Sequence, residues 1–162
     1  MSGHLQDELG KLLDGYDERR RGDLEREHRA KEADEEFLRA FAELRREVIR
    51  PVFEAAGALL EARGHRYSIA EQEFALGDGG QVTEAAITMR VVASGTRAPL
   101  HEDRESLSIA TRHYNKTVWI NSGEAPEAGG LAGAKGAYAL DRVTRQLVEE
   151  ELLAFVARVM AR

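Results

Sequence analysis

The chain has 162 residues, 43% of them hydrophobic, and no cysteine; this suffices for one folded domain and excludes disulfides, thiolate metal sites and cysteine nucleophiles. Its formal net charge of −6 at pH 7 argues against broad binding to nucleic acid or to an anionic membrane. The first residues lack the pattern of a signal peptide, and no apolar run approaches the roughly 18 residues of a membrane span. We therefore expect a cytoplasmic protein that binds neither nucleic acid nor membrane. The excess of arginine over lysine, with abundant alanine and glycine, is associated with GC-rich bacterial genomes.

The first predicted element is a short amphipathic helix. Leu5, Leu9, Leu12 and Tyr16 recur at steps of three and four, which places them on one helical face. Two glycines weaken this helix, so it needs a partner surface on its own domain, on a second copy or on a client protein. A frayed terminus is the alternative interpretation.

The next segment, residues 17–31, is dense in charges of both signs. Its three consecutive arginines, Arg19–Arg21, are surrounded by carboxylates, which favours a solvated helix face or a linker over contact with nucleic acid. Asp23 is a candidate N-cap for a new, long helix. We assign residues 1–31 to a charged, partly helical N-terminal arm and residues 32–162 to a single α+β domain.

The longest apolar stripe of the chain lies between Glu32 and Arg63. Its apolar residues recur at helical spacing and charged residues occupy the opposite face, which predicts a long helix packed on the core. Pro51 removes a backbone donor, so the helix either kinks there or ends at Arg50 and restarts. A kink is favoured because the stripe continues in phase. The stripe residues are Phe37, Phe41, Leu44, Val48, Val52, Ala55 and Leu59.

Four strands are predicted in the middle of the chain. They cover Arg66–Leu76, Glu84–Ser94, Glu105–His113 and Thr117–Asn121, and a glycine-rich turn at Gly77–Gly80 follows the first. Short connections favour an antiparallel meander with one face packed on helices. The residues expected to face the core are Ala85, Ile87, Met89, Val91, Leu107, Ile109, Val118 and Ile120.

A last helix is predicted from Asp141, a candidate N-cap, to the end of the sequence. It carries an apolar band, with Arg158 expected outside that band in solvent. Together with the stripe described above, it can cover one face of the sheet. The predicted fold is α+β, a two-layer sandwich with a long kinked N-terminal helix, a four-stranded antiparallel meander and a C-terminal helix, in the order α–β–β–β–β–α.

Residues 123–136 are rich in glycine and alanine and are predicted to form a flexible loop. This loop does not match a phosphate-binding loop, because glycine and lysine are not adjacent and no serine or threonine follows the lysine. Backbone amides near Gly133 and Gly136, together with Lys135, are candidates for contact with an anion. A mobile connector is the alternative.

Histidines and carboxylates around the third strand are of the types that bind divalent metals. However, His101 and His113 would lie about 30 Å apart along an extended strand, so a shared site requires a folded sheet or a second chain. No nucleophile elbow or catalytic serine frame is found. We therefore predict no metal site, no cofactor and no catalytic residue. The candidate ligands considered are His101, Glu102, Asp103, Glu105 and His113.

The sequence predicts a non-enzymatic binding or scaffold domain that forms a homodimer through its helices. The arm and the long helix offer more apolar face than a four-stranded sheet obviously needs. Trp119 is read first as packing on the sheet and second as an interface anchor. The candidate interface residues are Leu5, Leu9, Leu12, Tyr16 and Trp119.

Two other functions remain open on the sequence. One is a small chaperone-like adaptor that holds a client protein segment along the arm or a sheet edge. The other is a ligand-binding protein or an enzyme that uses the sheet face near Trp119 and the glycine-rich loop 123–136.

Overall fold

The computed structural model of the chain describes residues 3–95, 106–123 and 134–161. The chain divides between Glu36 and Phe37 into two compact units, which are described separately. Helix α1 (Gly3–Leu44) includes this boundary. No helix in the described ranges is long and apolar enough to cross a membrane.

The first unit is helical throughout its described part. Helix α1 is continuous from its first turn, so the predicted new helix start at Asp23 is wrong. Side chains three and four positions apart pair along its charged segment: Asp23 with Arg26, Glu25 with Arg29 at 3.4 Å, and His28 with Glu32 at 2.9 Å. Such pairs stabilise a helix by a few tenths of a kcal/mol each. They help to explain why this segment is a solvated helix face and not a linker.

The second unit begins with the end of α1, which continues through a π-helical turn, Arg45–Ile49, into α2 (Arg50–Ala62). In that turn the N–H of Arg50 donates to the carbonyl of Arg45, five residues back. Pro51 follows directly in the first turn of α2, where its missing N–H is tolerated. The helix therefore passes Pro51 through a π-turn and does not end there.

The π-turn shifts which residues of the helix face the core. Phe37 and Phe41 are buried as predicted, and Val52 is buried too. After the turn, Phe53 also lies in the core, whereas Leu59 is 73% exposed. A π-turn holds more residues than an α-turn, so the buried face moves relative to the sequence pattern. The prediction that the stripe continues in phase to Leu59 is wrong for this reason.

In the described ranges, the main sheet is antiparallel and has five strands in the order β1-β4-β5-β6-β7. A separate two-stranded sheet pairs β2 with β3. The α+β class is confirmed, but the main sheet has one strand more than the predicted four. The strands are β1 (Arg66–Gln72), β2 (Ala75–Leu76), β3 (Val82–Thr83), β4 (Ala86–Val92), β5 (Ser106–Arg112), β6 (Thr117–Gly123) and β7 (Ala134–Ala139).

The added strand occupies part of the segment that was predicted to be a flexible loop. Strand β7 begins at Ala134, and Gly123 belongs to β6. The pairing of β6 with β7 contains an irregularity between Ile120 and Asn121. Small side chains in β7 hide the alternation on which strand prediction depends.

One face of the five-stranded sheet forms the core with the helices. All eight residues that were predicted to face the core from the strands are buried. Helix α3 (Arg145–Met160) contributes Val148, Leu152 and Phe155. Its N-cap is Thr144, whose Oγ1 accepts a hydrogen bond from the N–H of Leu147 at 3.2 Å.

Two predictions about this last helix are wrong. Asp141 lies in a short 3-10 turn, Leu140–Arg142, and does not cap the helix. Arg158 is half-buried over the ring of Phe155, and its Nη1 lies 3.4 Å from Ser122 Oγ. The sequence pattern places Arg158 outside the apolar band, but it does not show that this long side chain reaches Ser122 at the end of strand β6.

Candidate functional site

Helices α2 and α3 run in the same direction along the core face of the sheet. At the start of the helical segment, Arg45 Nη1 donates to the carbonyls of Gln72 and Ala86, which are paired residues at one end of the β1–β4 ladder. Near the end of α3, Arg158 reaches Ser122, which lies at the opposite end of the sheet. Both helices therefore finish at the end of the sheet where β1 begins.

An apolar groove of about 600 Å³ lies between these two helices. Leu59 of α2 and Leu153 of α3 are 73% and 72% exposed, and both line it. Met160, near the end of α3, is also partly exposed. Ala56, Leu60 and Val156 form much of the floor. The protein thus leaves several large apolar side chains in a concave surface open to water.

Charged side chains stand at the margins of the groove. Arg63 and His65 line it just after α2, and Arg145 and Glu149 line it near the start of α3. Arg145 Nε donates to Glu149 Oε1 at 3.0 Å, which leaves one carboxylate matched by one guanidinium. His65 Nδ1 accepts from the N–H of Ser94 at 2.8 Å. The groove margin therefore carries a small excess of positive charge in a chain of net charge −6.

This groove was not predicted from the sequence. Leu59 was assigned to the core, and only the phase shift at the π-turn brings it to the groove. On α3, Leu153 and Met160 lie outside the predicted apolar band. That surplus of apolar residues on one side of the band was the signal that could have found this surface.

The predicted interface residues of the arm lie on one exposed face of α1. Leu5, Leu9, Leu12 and Tyr16 are between 44% and 70% exposed, and Leu13 broadens the same stripe. The structure therefore brings these residues together as a second apolar surface. Their role as an interface stays a prediction.

Trp119, the other predicted interface residue, belongs to the second unit and lies on strand β6. Its Nε1 donates to Thr117 Oγ1 at 3.1 Å, and the guanidinium of Arg112 lies 4.7 Å from the ring centroid. A cation over an indole ring is a stabilising arrangement. Both neighbours are on the sheet face away from the helices, so Trp119 packs on that face.

The predicted anion site is only partly within the described residues. Gly133 and the side chain of Lys135 lie outside them. Gly136 lies in β7 opposite Ile120, with a φ of +131° that favours glycine. The alternative of a mobile connector is thus wrong at Gly136, and the contact with an anion stays a prediction.

Of the candidate metal ligands, only His113 lies in the described part of the chain. Its Nδ1 is 2.9 Å from Glu84 Oε2, and its backbone N–H donates to Glu84 Oε1 at 3.1 Å. Glu84 Oε1 also accepts from Thr111 Oγ1 at 3.1 Å. Across the described ranges, no group of three or more potential ligands can hold a metal ion. The Glu84–His113 pair was not anticipated from the sequence. The candidates outside the described residues are His101, Glu102, Asp103 and Glu105.

A second polar cluster joins the helical segment to β1. Arg45 is buried, and its Nη2 contacts Glu73 Oε1 at 2.5 Å while its Nε lies 3.6 Å from Glu71 Oε1. Arg50 contacts Glu54 at 2.7 Å and Glu71 at 3.3 Å. The hydrogen bond with Glu54, aided by Glu71, outweighs burial and raises the pKa of Arg50 above its ordinary value. These charges hold the helix to the strand.

Comparison of the chain with models of protein families, with curated proteins and with solved structures found no match. Within the described residues, two exposed apolar surfaces point to a function: the groove between α2 and α3, and the stripe Leu5–Tyr16 on helix α1.

Proposed function

We propose that this chain is a non-enzymatic binding domain that takes an amphipathic helix into the groove between α2 and α3. The observation that carries the proposal is the exposure of Leu59 and Leu153 in a concave surface. Burying a leucine side chain contributes about 1.5–3 kcal/mol. Leu59 and Leu153 face water, so a partner that covers them would gain this free energy on binding. Exposed apolar surface of this kind typically marks an interaction site.

The shape of the groove favours a helix as its occupant. Its walls are two helices, and from Val52 to Arg63 the wall of α2 is about 17 Å long at 1.5 Å per residue. A helix of about twelve residues has the same length. Helices pack against helices with their side-chain ridges in the partner's grooves, and an apolar helix face laid into such a channel is a common recognition mode.

The chemistry of the lining supports binding and not catalysis. Among the described lining residues, the one carboxylate, Glu149, is bonded to Arg145, and His65 already accepts a backbone hydrogen bond. Acid–base catalysis requires a group positioned to exchange a proton with a substrate. An amphipathic helix requires an apolar surface with charged margins, which is what the lining offers. We place this function in the cytoplasm.

A small amphipathic acid is the second candidate occupant. The volume of about 600 Å³ lies within the range of small-molecule sites, roughly 300–1,000 Å³. Arg63 at the margin would pair with a carboxylate while the chain of the ligand lay along Leu60 and Val156.

The proposal is tested by titrating the full chain with a designed helical peptide that has leucines on one face and glutamates at its flanks. Amide NMR shifts in α2 and α3 are expected, and they should be lost in the double variant Leu59→Glu/Leu153→Glu. The matched control is Ala58→Glu/Ala154→Glu, which adds the same charge at exposed positions outside the groove and should retain binding. Shifts with dodecanoate but not with the peptide would favour the second candidate.

A further inference from the structure

We infer that the occupant of the groove is the helix Leu5–Tyr16 of a second copy of this chain, so that two copies exchange arms. This inference rests on the proposed function of the groove. Each chain would insert its exposed stripe between α2 and α3 of its partner and receive the partner's stripe in return.

The chemistry of the two surfaces is complementary. The stripe on α1 presents leucines and a tyrosine, and the groove presents leucine, valine and methionine. A helix has no core of its own, and most helical stability in proteins comes from packing its apolar face on something else. One chain thus supplies both an apolar ridge and an apolar channel.

The lengths of the two surfaces also match. At 1.5 Å per residue, the stripe from Leu5 to Tyr16 is about 17 Å long. The groove wall on α2, from Val52 to Arg63, is again about 17 Å, and the wall on α3, from Arg145 to Met160, is about 22 Å. The arm can therefore lie along the groove with its whole stripe covered.

Charge favours the same pairing. Residues 3–18 contain five carboxylates and one lysine, whereas the groove margin carries an excess of positive charge. At about 100° per residue, Glu8 borders one side of the stripe near its start and Asp17 borders the other side near its end. Arg63 and Arg145 stand at opposite ends of the groove, and Arg145 already forms an ion pair within the groove margin. A docked arm can thus place a carboxylate near Arg63, the guanidinium that is left over once Arg145 is paired.

Symmetry makes the exchange a closed dimer. If each arm enters the partner's groove, both arm–groove contacts belong to one two-fold interface. Neither the arm nor the groove of either copy then stays free to bind a third copy. Reciprocal docking also buries the groove and the stripe twice, which brings the interface toward the roughly 1,600 Å² of stable complexes. Pairing of one arm with the other would leave both grooves empty.

The test measures the dimer dissociation constant of the full chain by sedimentation equilibrium, with circular dichroism to check folding. Leu9→Glu/Leu12→Glu in the arm and Leu59→Glu/Leu153→Glu in the groove should each weaken the dimer by about 100-fold, because buried apolar contacts at an interface are replaced by charge. All four side chains are exposed in the single chain, so the fold should be kept.

Two controls carry the same change in charge. Arg21→Glu shifts the net charge of the arm by two units at an exposed position beyond the end of the stripe, and Ala58→Glu/Ala154→Glu does so outside the groove. Both should change the dissociation constant by less than about threefold, as expected of exposed sites. An equal loss in these controls would overturn the inference, since charge alone would then explain the effect.

Mixing the arm variant with the groove variant separates arm exchange from other dimers. Their heterodimer has one intact arm facing one intact groove, so the mixture should associate more tightly than either variant alone. If two arms paired with each other, the groove variant would dimerise as the wild type does, and the inference would be wrong. A wild-type chain that is monomeric at tens of micromolar would also overturn it.

The two proposals fail differently. If the wild type is a monomer but the designed peptide still shifts α2 and α3, the groove binds a helix of another protein, and only the inference of arm exchange is lost. If no peptide shifts these helices even in the arm variant, whose groove would be free, the proposed function itself is wrong.

Discussion

The aromatic ring of Tyr67 on strand β1 lies directly against the backbone of Gly57 in helix α2. A Cβ atom built on Gly57 would be 2.7 Å from Tyr67 Cδ2 and closer still to Cε2 and Cζ. Glycine in the middle of a helix costs about 0.5–1 kcal/mol relative to alanine. The close approach of α2 to β1 therefore explains the glycine at position 57. The same contact positions α2, which forms one wall of the groove.

Gly57→Ala should lower the free energy of unfolding by about 1–3 kcal/mol, because the added methyl group overlaps a side chain in a packed core. Urea unfolding followed by circular dichroism measures it. In a Tyr67→Ala background the same substitution should reverse sign and stabilise the protein by about 0.5–1 kcal/mol, since only helix propensity remains. The same loss in both backgrounds would show that the ring is not the cause.

Arg45→Met should destabilise the protein by about 1–3 kcal/mol, the cost of leaving buried polar groups without a partner. Arg45 donates to the carbonyls of Gln72 and Ala86 and thereby closes one end of the β1–β4 ladder. Urea unfolding again measures the change. Arg46→Met is the matched control, because Arg46 is 69% exposed and such a change usually costs less than about 0.5 kcal/mol. Equal effects at the two positions would contradict this role of Arg45.

The strand faces of the sheet were predictable from the sequence because alternation is a local property. Ile87 and Met89 in β4 point to the core at every second residue, as a pleated strand requires. Phe37 and Phe41 were likewise predictable from helical spacing. Each of these predictions needs only a few neighbouring residues.

The errors occur where the outcome depends on something nonlocal or on a departure from regular geometry. The π-turn before Pro51 changes the helical phase, and no spacing rule anticipates that Leu59 then leaves the core. Strand β7 consists mostly of small residues, so its identity depends on pairing with β6. The reach of Arg158 to Ser122 likewise joins residues that are distant in the sequence.

Of the two candidate surfaces, only the one formed by a single helix could be predicted from the sequence, because its residues are neighbours in the chain. The stripe from Leu5 to Tyr16 lies on one helix and is visible as a repeat. The groove needs α2 and α3, whose lining residues are about ninety positions apart, and it needs the phase shift as well. A binding function was therefore predicted from the arm and the long helix, whereas the groove that we propose as the binding surface is visible only in the fold.

Thr144→Ala should destabilise the protein by about 1 kcal/mol through loss of the N-cap of α3. Thr144 Oγ1 satisfies the N–H of Leu147, which otherwise has no partner within the helix. Asp141→Ala, at the residue that the sequence pattern favoured as the cap, should change stability by less than about 0.5 kcal/mol. Thermal unfolding measures the loss of stability in both variants. A larger loss in Asp141→Ala than in Thr144→Ala would show that Asp141 caps the helix.

Glu84 should stabilise the hairpin between β5 and β6 in proportion to the hydrogen bonds that its carboxylate accepts. It accepts from the N–H and Nδ1 of His113 and from Thr111 Oγ1, and Thr111 is fully buried. Glu84→Ala should therefore cost about 1–3 kcal/mol, and Glu84→Gln, which keeps one acceptor oxygen, should cost less. Hydrogen exchange at the His113 amide gives a local readout: its rate should rise in the order Glu, Gln, Ala. An unchanged rate in Glu84→Ala would mean that the hairpin is held by its strand pairing, and that the carboxylate contributes nothing to it.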